Sequence, residues 1–238
     1  AFALTINDGT AQLLSQYPSS VKYTDSTSTF ELGLPLKLVA DGTETLTIGF
    51  TSKGMYDASG TSASETQKIN SVKLFDLSAP IITESKLDSD NEKAMVRFSV
   101  PVFADAKSSL ALEVDDFKLS LVGGTATLKS TTPSSIESSE NGKRYKVGLD
   151  VIGVPDGREV LTINPVDNNI YDDAANPANK IQDNNSMNLF DKQPPVITNV
   201  NLSKANDTLF VTLSEAAYAK ESGIGALVTS DSTLSIVN

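Results

Sequence analysis

The sequence predicts an all-β protein of antiparallel strands arranged as sandwiches, and three observations lead to this prediction. Short segments of alternating apolar and polar residues recur along the whole chain, as half-buried strands do. Gly, Pro, Asn and Asp separate these segments and supply the turns between them. No long stretch has the apolar spacing of an amphipathic helix. Together these features are typical of an antiparallel β-sandwich.

The chain also contains a long internal repeat. Residues 74–87 read LFDLSAPIITESKL and residues 189–202 read LFDKQPPVITNVNL, which places Pro80 and Pro195 115 positions apart. The same offset aligns the rest of the chain without a gap. Below, the residue 115 positions away is called the counterpart. A repeat of this length predicts tandem units that are each the size of a domain.

The strands of the first 77 residues are predicted from alternation between turn signals. Asp8-Gly9 marks a turn after the opening strand, and Asp41-Gly42 marks another. Pro35 interrupts the most regular alternating segment, so an edge position or a bulge is expected there. The predicted strands are FALTIN (2–7), a short strand near 11–14, FELGLPLKL (30–38), 44–49 and 71–75.

From residue 78 onward two further strands are predicted first, and the succession of strands seen in residues 1–77 then repeats from residue 117. A short helical turn is expected within 104–112, where the alternation stops. The final residues, STLSIVN (232–238), align with the opening strand and are predicted to be a strand as well. The other predicted strands are 81–87, 94–100, 117–122, 145–152, 159–164 and 187–190.

Several motifs occur in a fixed order within the repeat. They are PPVIT (194–198), VTLSEAAY (211–218, with VRFSVPVF at 96–103), DFKLSLVGGTATL (116–128), YKVGLDV (145–151), DGREVLTI (156–163) and IYDDAANPA (170–178). This succession resembles the bacterial immunoglobulin-like tandem repeats of large cell-surface, S-layer and adhesin proteins. The resemblance implies an Ig-like β-sandwich that serves as a stalk, lattice or adhesive module, without catalysis.

The register of this resemblance divides the chain into three parts. Residues 1–77, the first segment, would be the C-terminal part of an Ig-like repeat. Residues 78–192, the middle segment, would be a complete repeat. Residues 193–238, the last segment, would be the N-terminal part of a further repeat. An incomplete sandwich exposes apolar surface and unpaired strand edges, so either the chain continues or the incomplete parts complete each other between molecules.

Composition excludes several function classes. The 238 residues include no Cys, His or Trp, which removes thiol and Ser-His-Asp nucleophiles and the usual zinc sites. A net charge of −11 argues against nucleic acid as a partner. No apolar run is long enough to span a membrane, and the N-terminal residues are not expected to be a signal peptide. We therefore expect a protein that is not an enzyme.

Carboxylates that recur in predicted loops are candidate metal ligands. Asp57 and Asp172 occupy equivalent end loops, and Asp76 and Asp191 occupy equivalent junctions between units. Clusters of oxygen atoms at loops suit Ca²⁺, which would stiffen the joint between successive domains. The alternative is that these aspartates only form turns and solubilise loops. Other recurring acidic pairs are Asp41 with Asp156 and Glu44 with Glu159.

The expected function is structural and extracellular. Tandem Ig-like domains would build a filament, stalk or surface lattice, with the chain itself as partner through head-to-tail strand complementation. The alternative is an adhesin, or a carbohydrate- or ligand-binding module of a larger secreted protein. An apolar or aromatic patch on exposed loops would favour the alternative, and a long self-complementary edge would favour assembly.

Overall fold

The fold is all-β with antiparallel pairing throughout the described residues. The computed structural model describes residues 1–24, 28–221 and 223–235. Every strand pair in these ranges is antiparallel, and their only helical elements are three single 3₁₀ turns. The fold class predicted from alternation and turn residues is confirmed at this level.

The middle segment contains two sheets that share one hydrophobic core. A four-stranded sheet has the order β12-β13-β9-β8, and a three-stranded sheet has the order β10-β15-β16. Phe98 and Tyr145 of the first sheet meet Phe117 of the second, with ring centroids 6.3 and 6.0 Å from Phe117. The strands are β8 (Ile82–Leu87), β9 (Lys93–Phe98), β10 (Phe117–Val122), β11 (Thr127–Leu128), β12 (Ile136–Ser139), β13 (Arg144–Gly148), β14 (Val151–Ile152), β15 (Val160–Pro165) and β16 (Ser186–Asn188).

The first segment has the pairings of the middle segment apart from two strands. Its sheet β1-β6-β7 corresponds to β10-β15-β16, and its pairs β2-β5 and β3-β4 correspond to β11-β14 and β12-β13. The register is the same, since Phe2 pairs with Phe50 as Phe117 pairs with Pro165. The strands are β1 (Phe2–Asn7), β2 (Gln12–Leu13), β3 (Ser20–Tyr23), β4 (Phe30–Gly33), β5 (Leu36–Lys37), β6 (Thr45–Phe50) and β7 (Ser71–Lys73).

The last segment is an isolated hairpin within the described residues. Strand β17 (Ile197–Leu202) pairs with β18 (Leu209–Leu213), as β8 pairs with β9 in the middle segment. The counterpart hairpins also share an irregularity, because the register shifts at Ile82/Glu84 and again at Ile197/Asn199. The first segment lacks a described pair equivalent to β8-β9, and the described part of the last segment has that pair as its one strand pair, followed by the 3₁₀ turn Thr229–Asp231.

Several local predictions differ from the structure. The segment 145–152, predicted as one strand, is two strands, β13 and β14, separated by Leu149 and Asp150. The segment 30–38 is two strands, β4 and β5, because Pro35 has no amide hydrogen to donate and Leu38 has a positive φ of 68°. Residues 104–112 form bends and turns, and the 3₁₀ turn lies later, at Val114–Asp116. Residues 232–235 are not in a strand. Their counterparts in β10 pair with β15, and the last segment contains no equivalent of β15. Residues 236–238 lie outside the described residues.

Candidate functional site

The joint between the first and middle segments brings together two of the predicted metal ligands. Asp76 lies directly at the joint, and Asp172 lies in the loop that follows β15. The side-chain amide of Asn176 donates to the backbone carbonyl of Asp76 at 3.2 Å and to Oδ2 of Asp172 at 3.0 Å. One amide group therefore links the loop of the middle segment to the joint.

Negative charge is concentrated at this joint. Burial raises the pKa of Asp76, and the carboxylates of Asp172, Asp173 and Asp41 raise it further, while the amide of Ser78 opposes the change. Like charges in one place disfavour ionisation of each member. A cation bound among these groups would relieve their repulsion.

The oxygens of Asp172 are already engaged within the protein. Its side chain is fully buried, and Oδ1 accepts hydrogen bonds from the amides of Ala174 at 3.0 Å and Asn176 at 2.8 Å. This is the turn-forming role that aspartate commonly has in loops. Within the ranges that the structure describes, no three acidic side chains are grouped so that they could hold a metal ion. The carboxylates as arranged do not complete a Ca²⁺ site, and calcium binding stays a prediction.

The other two predicted ligands repeat the same local contacts elsewhere. Oδ1 of Asp57 accepts the amides of Ser59 and Thr61, both at 2.8 Å, as its counterpart Asp172 does in the middle segment. Oδ1 of Asp191 accepts the amide of Gln193 at 2.8 Å, as Asp76 accepts that of Ser78. Asp57 belongs to an end loop of the first segment and Asp191 to the second joint. The structure therefore unites only Asp76 and Asp172 of the four.

Chelation tests the calcium prediction. If Ca²⁺ binds at the joint of Asp76 and Asp172, millimolar Ca²⁺ should raise the melting temperature above that in EDTA, because a ligand of the native state stabilises by mass action. The Asp76→Asn variant should lose this difference, whereas Asp90→Asn, at an exposed turn, should keep it. Identical melting curves of the unaltered chain in Ca²⁺ and in EDTA would contradict the prediction.

Two buried glutamates are the strongest polar features of the fold. Glu44 and Glu159 are counterparts, and both are fully buried. Oε1 of Glu159 accepts the amides of Thr125 at 2.8 Å, Ala126 at 2.9 Å and Asp156 at 3.2 Å. Each glutamate thereby ties the turn after one strand to the turn before another. The sequence showed their recurrence, but not their burial or their partners.

Oε1 of Glu44 makes the same three contacts in the first segment. It accepts the amides of Thr10 at 2.9 Å, Ala11 at 2.8 Å and Asp41 at 3.2 Å. Burial by itself raises the pKa of Glu44, but the backbone hydrogen bonds outweigh it and lower the pKa to about 2. The pKa of Glu159 is lowered by the same balance of effects. Both carboxylates are held ionised because amide donors stabilise the charged form.

These shifted pKa values predict the behaviour of the protein in acid. A carboxylate with a lowered pKa contributes stability above its unfolded value of 4.5, and that stability is lost as the pH falls toward the folded value, about 2 for Glu44. The pKa of Asp76 is raised in the folded protein, so protonation of Asp76 on acidification stabilises the fold instead. Among the described carboxylates, seven have a lowered pKa and two, Asp76 and Asp116, have a raised one. We therefore expect the melting temperature to fall between about pH 4.5 and pH 2.

Thermal melts followed by circular dichroism across this pH range test the expectation. The variant Glu159→Gln should be less stable at neutral pH and should lose less on acidification, since one titrating group is gone. Glu84→Gln, at an exposed position on β8, should follow the unaltered chain. An acid transition of the same size in Glu159→Gln and in the unaltered chain would contradict the assignment.

The hairpin β17-β18 exposes an apolar surface that is buried in the middle segment. Ile82, Leu87 and Val96 are nearly inaccessible, whereas their counterparts are between 52% and 62% exposed. We call the exposed residues on this face the hairpin surface: Ile197, Val200, Leu202, Leu209 and Val211. Contiguous apolar residues on a pair of strands indicate a face that another element covers.

The first segment has a complementary cavity. Its volume is about 670 Å³, and aromatic residues dominate its wall. In the middle segment, Phe98 occupies the equivalent place, since its ring meets Phe117 and Tyr145, the counterparts of Phe2 and Phe30. This first-segment cavity is lined by Phe2, Tyr17, Val21, Tyr23, Phe30 and Tyr56, together with neighbouring small residues.

Comparison with protein-family models, with curated proteins and with solved structures finds no match to this chain. No helix in the described residues is long and apolar enough to cross a membrane. The joints, the buried glutamates and the exposed apolar surfaces are the features of the structure that bear on function.

Proposed function

We propose that this chain is a structural part of the extracellular surface, built from tandem Ig-like β-sandwiches that form a filament, stalk or lattice. The strand order of the middle segment supports the Ig-like assignment. Sheet β8-β9-β13-β12 corresponds to strands A-B-E-D of a constant-type Ig domain, and sheet β10-β15-β16 corresponds to C-F-G. A core shared by two such sheets is the organisation expected of a sandwich.

The observation that carries a structural function is the repeated joint. At the first joint, the amide of Leu77 donates to the carbonyl of Ala40 at 3.0 Å, and Asn176 reaches the carbonyl of Asp76. At the second joint, Lys192 donates to the carbonyl of Pro155 at 2.8 Å, which is the counterpart contact. Hydrogen bonds to the connecting backbone restrict its motion, so successive units would hold a defined spacing. Defined spacing is what a stalk or lattice requires.

A second candidate is a ligand-binding module, and the aromatic first-segment cavity is the observation that favours it. Aromatic walls suit a glycan or another apolar-faced ligand. The middle segment argues for the structural function instead, because its own Phe98 fills the equivalent space. By this comparison the cavity corresponds to core space that Phe98 fills in the middle segment.

The proposal is tested by determining where the native protein is located and what assembly it forms. Antibodies against the chain should label intact cells of the source organism, and electron microscopy of the surface fraction should show labelled filaments, stalks or a lattice. Labelling confined to the interior of permeabilised cells would overturn the extracellular assignment. Saturable binding of the chain to a glycan on an array, lost in the variant Tyr23→Ala, would favour the ligand-binding alternative.

A further inference from the structure

The middle segment shows what covers the edge of its strand β13. Strand β9 lies between β13 and β8, and its register places Val96 opposite Tyr145 and Ala94 opposite Val147. All four side chains are almost fully buried. The hairpin β8-β9 therefore supplies both the edge pairing and the apolar cover of this sheet.

The first segment presents the same edge without that hairpin. Strand β4 is the counterpart of β13, and within the described residues it pairs only with β3. Its inward residues Phe30 and Leu32 are the counterparts of Tyr145 and Val147, and Phe30 lines the first-segment cavity. An unpaired edge beside an apolar cavity is a template for strand addition.

The last segment presents the missing hairpin. Strand β18 is the counterpart of β9 and pairs only with β17 in the part of the chain that is described. The turn between β17 and β18 has the same backbone conformation as the turn between β8 and β9. Asn206 has a φ of 58°, and its counterpart Asn91 has a φ of 65°. Each also donates its amide to a carbonyl three residues earlier at 3.0 Å. The hairpin therefore has this turn geometry although no other element covers it in the described residues.

Polar groups at both surfaces are already placed for the contact. Oε1 of Gln182 accepts the amide of Ile82 at 2.7 Å, and its Nε2 donates to the carbonyl of Asn179 at 2.6 Å. Gln67, the counterpart of Gln182, makes the second of these bonds to Ser64 at the same 2.6 Å. Its Oε1 is thereby oriented to accept the amide of Ile197, the counterpart of Ile82.

A second pair of polar contacts closes the other end of the interface. In the middle segment, Asn91 exchanges two hydrogen bonds with the backbone of Phe190, both at 2.8 Å. The counterparts are Asn206 on the hairpin and Phe75 in the first segment, and Phe75 is 87% exposed. Asn206 and Phe75 would meet in the same way when the hairpin covers the first segment.

We propose that the hairpin β17-β18 of one molecule adds to strand β4 of a second copy and covers the first-segment cavity. The pairing would place Val211 opposite Phe30 and Leu209 opposite Leu32, with Leu213 in the first-segment cavity. This proposal rests on the tandem Ig-like assignment and specifies how such units associate. Repetition of one head-to-tail contact gives an open chain of molecules.

Topology directs the hairpin to another molecule. The first segment meets the middle segment at the Asp172–Asn176 loop, which follows the end of β15. The last segment leaves the middle segment near Pro155, which precedes the start of β15. The two joints therefore lie at opposite ends of this strand, which is roughly 20 Å long. A contact between the hairpin and β4 of the same molecule would have to bridge this length, so the proposal assigns the contact to a second molecule.

Sedimentation of the full 238-residue chain over a range of concentrations tests the association. We expect oligomers that grow with concentration, and Val211→Lys should abolish them. Ile152→Lys is the matched control, because Ile152 is 53% exposed, against 52% for Val211, and its counterpart is Lys37. A chain that stays monomeric at all concentrations, or equal loss of oligomers in both variants, would overturn the proposal.

Cysteine pairing tests the register, since the chain has no cysteine of its own. Met95 and Lys146 are partners across β9 and β13, so the proposal makes Phe210 of one copy the partner of Glu31 of the other. Partners across antiparallel strands have Cα atoms about 4.5–5.5 Å apart, within reach of a disulfide. Mixing Glu31→Cys with Phe210→Cys should give a cross-linked dimer under mild oxidation. Mixing Glu31→Cys with Thr208→Cys, two residues out of register, should give several-fold less.

Equal cross-linking of the two mixtures would overturn the register and with it the proposal. These experiments distinguish failure of the proposed interface from failure of the proposed function. A monomeric chain whose native form still decorates the cell surface would retain the structural function and lose this interface. An intracellular protein that nevertheless cross-links in register would retain the interface and lose the structural function at the surface.

Discussion

Replacing Glu159 with alanine is expected to lower the free energy of unfolding of the middle segment by about 4 kcal/mol. The change leaves the amides of Thr125, Ala126 and Asp156 without their acceptor. An unsatisfied buried donor costs about 1–3 kcal/mol, which applies in full to Ala126, whereas water can reach the amides of Thr125 and Asp156 and relieves part of the total. Native-state hydrogen exchange of the β15 amides measures the loss in the middle segment directly.

Two companion variants separate the hydrogen bonds from the volume of the side chain. Glu159→Gln fills the same space and retains one acceptor oxygen, so it should cost less than the alanine variant. Glu84→Ala, at an exposed position on β8, should change stability by no more than about 0.5 kcal/mol. If Glu159→Ala and Glu84→Ala were equally stable, the glutamate would not hold the turns together.

Replacing Gly124 with alanine is expected to cost about 3 kcal/mol or more, for two physical reasons. The residue has a positive φ of 57°, which costs an L-amino acid roughly 1–2 kcal/mol. A Cβ atom there would also lie 2.2 Å from Cδ of the buried Glu159, far inside van der Waals contact. Relief of that clash would displace the carboxylate from its amide donors. Chemical denaturation followed by circular dichroism measures the cost.

Gly153→Ala is the matched control for this variant. Gly153 also has a positive φ, 89°, but a Cβ atom there would meet nothing closer than 3.6 Å. It should therefore show the backbone cost alone. Combining Gly124→Ala with Glu159→Ala should remove most of the additional cost, since the clashing side chain is gone. Additive losses in the double variant would contradict the steric explanation.

The local fold of this protein was predictable from its sequence because alternation and turn chemistry act over a few residues. The segment 2–7 alternates and is strand β1, and the Asp8-Gly9 turn that follows has both residues at positive φ. The internal repeat was equally visible, and the strand pairs of the first and middle segments share their register at that offset. At Pro35 the alternating pattern continues, but the strand is interrupted because proline has no amide hydrogen to donate.

The candidate site was only partly predictable. Recurrence identified Asp76 and Asp172, yet nothing local showed that Asn176 would link them across the joint. Glu159 recurs with Glu44, but its role depends on amides about 34 residues earlier in the chain. Contacts between turns that are distant in sequence follow from how the sheets pack, and a pattern of neighbouring residues does not contain them.

The sequence by itself determined the strands, their turns and the 115-residue recurrence, because each depends on local conformational preference or on simple identity between residues. Only the tertiary structure decided which edges are covered. The same alternating pattern produces buried Val96 and exposed Val211, since burial depends on whether a partner strand is present. The pairing of β9 with β13 in the middle segment is the observation from which we propose that β18 adds to β4.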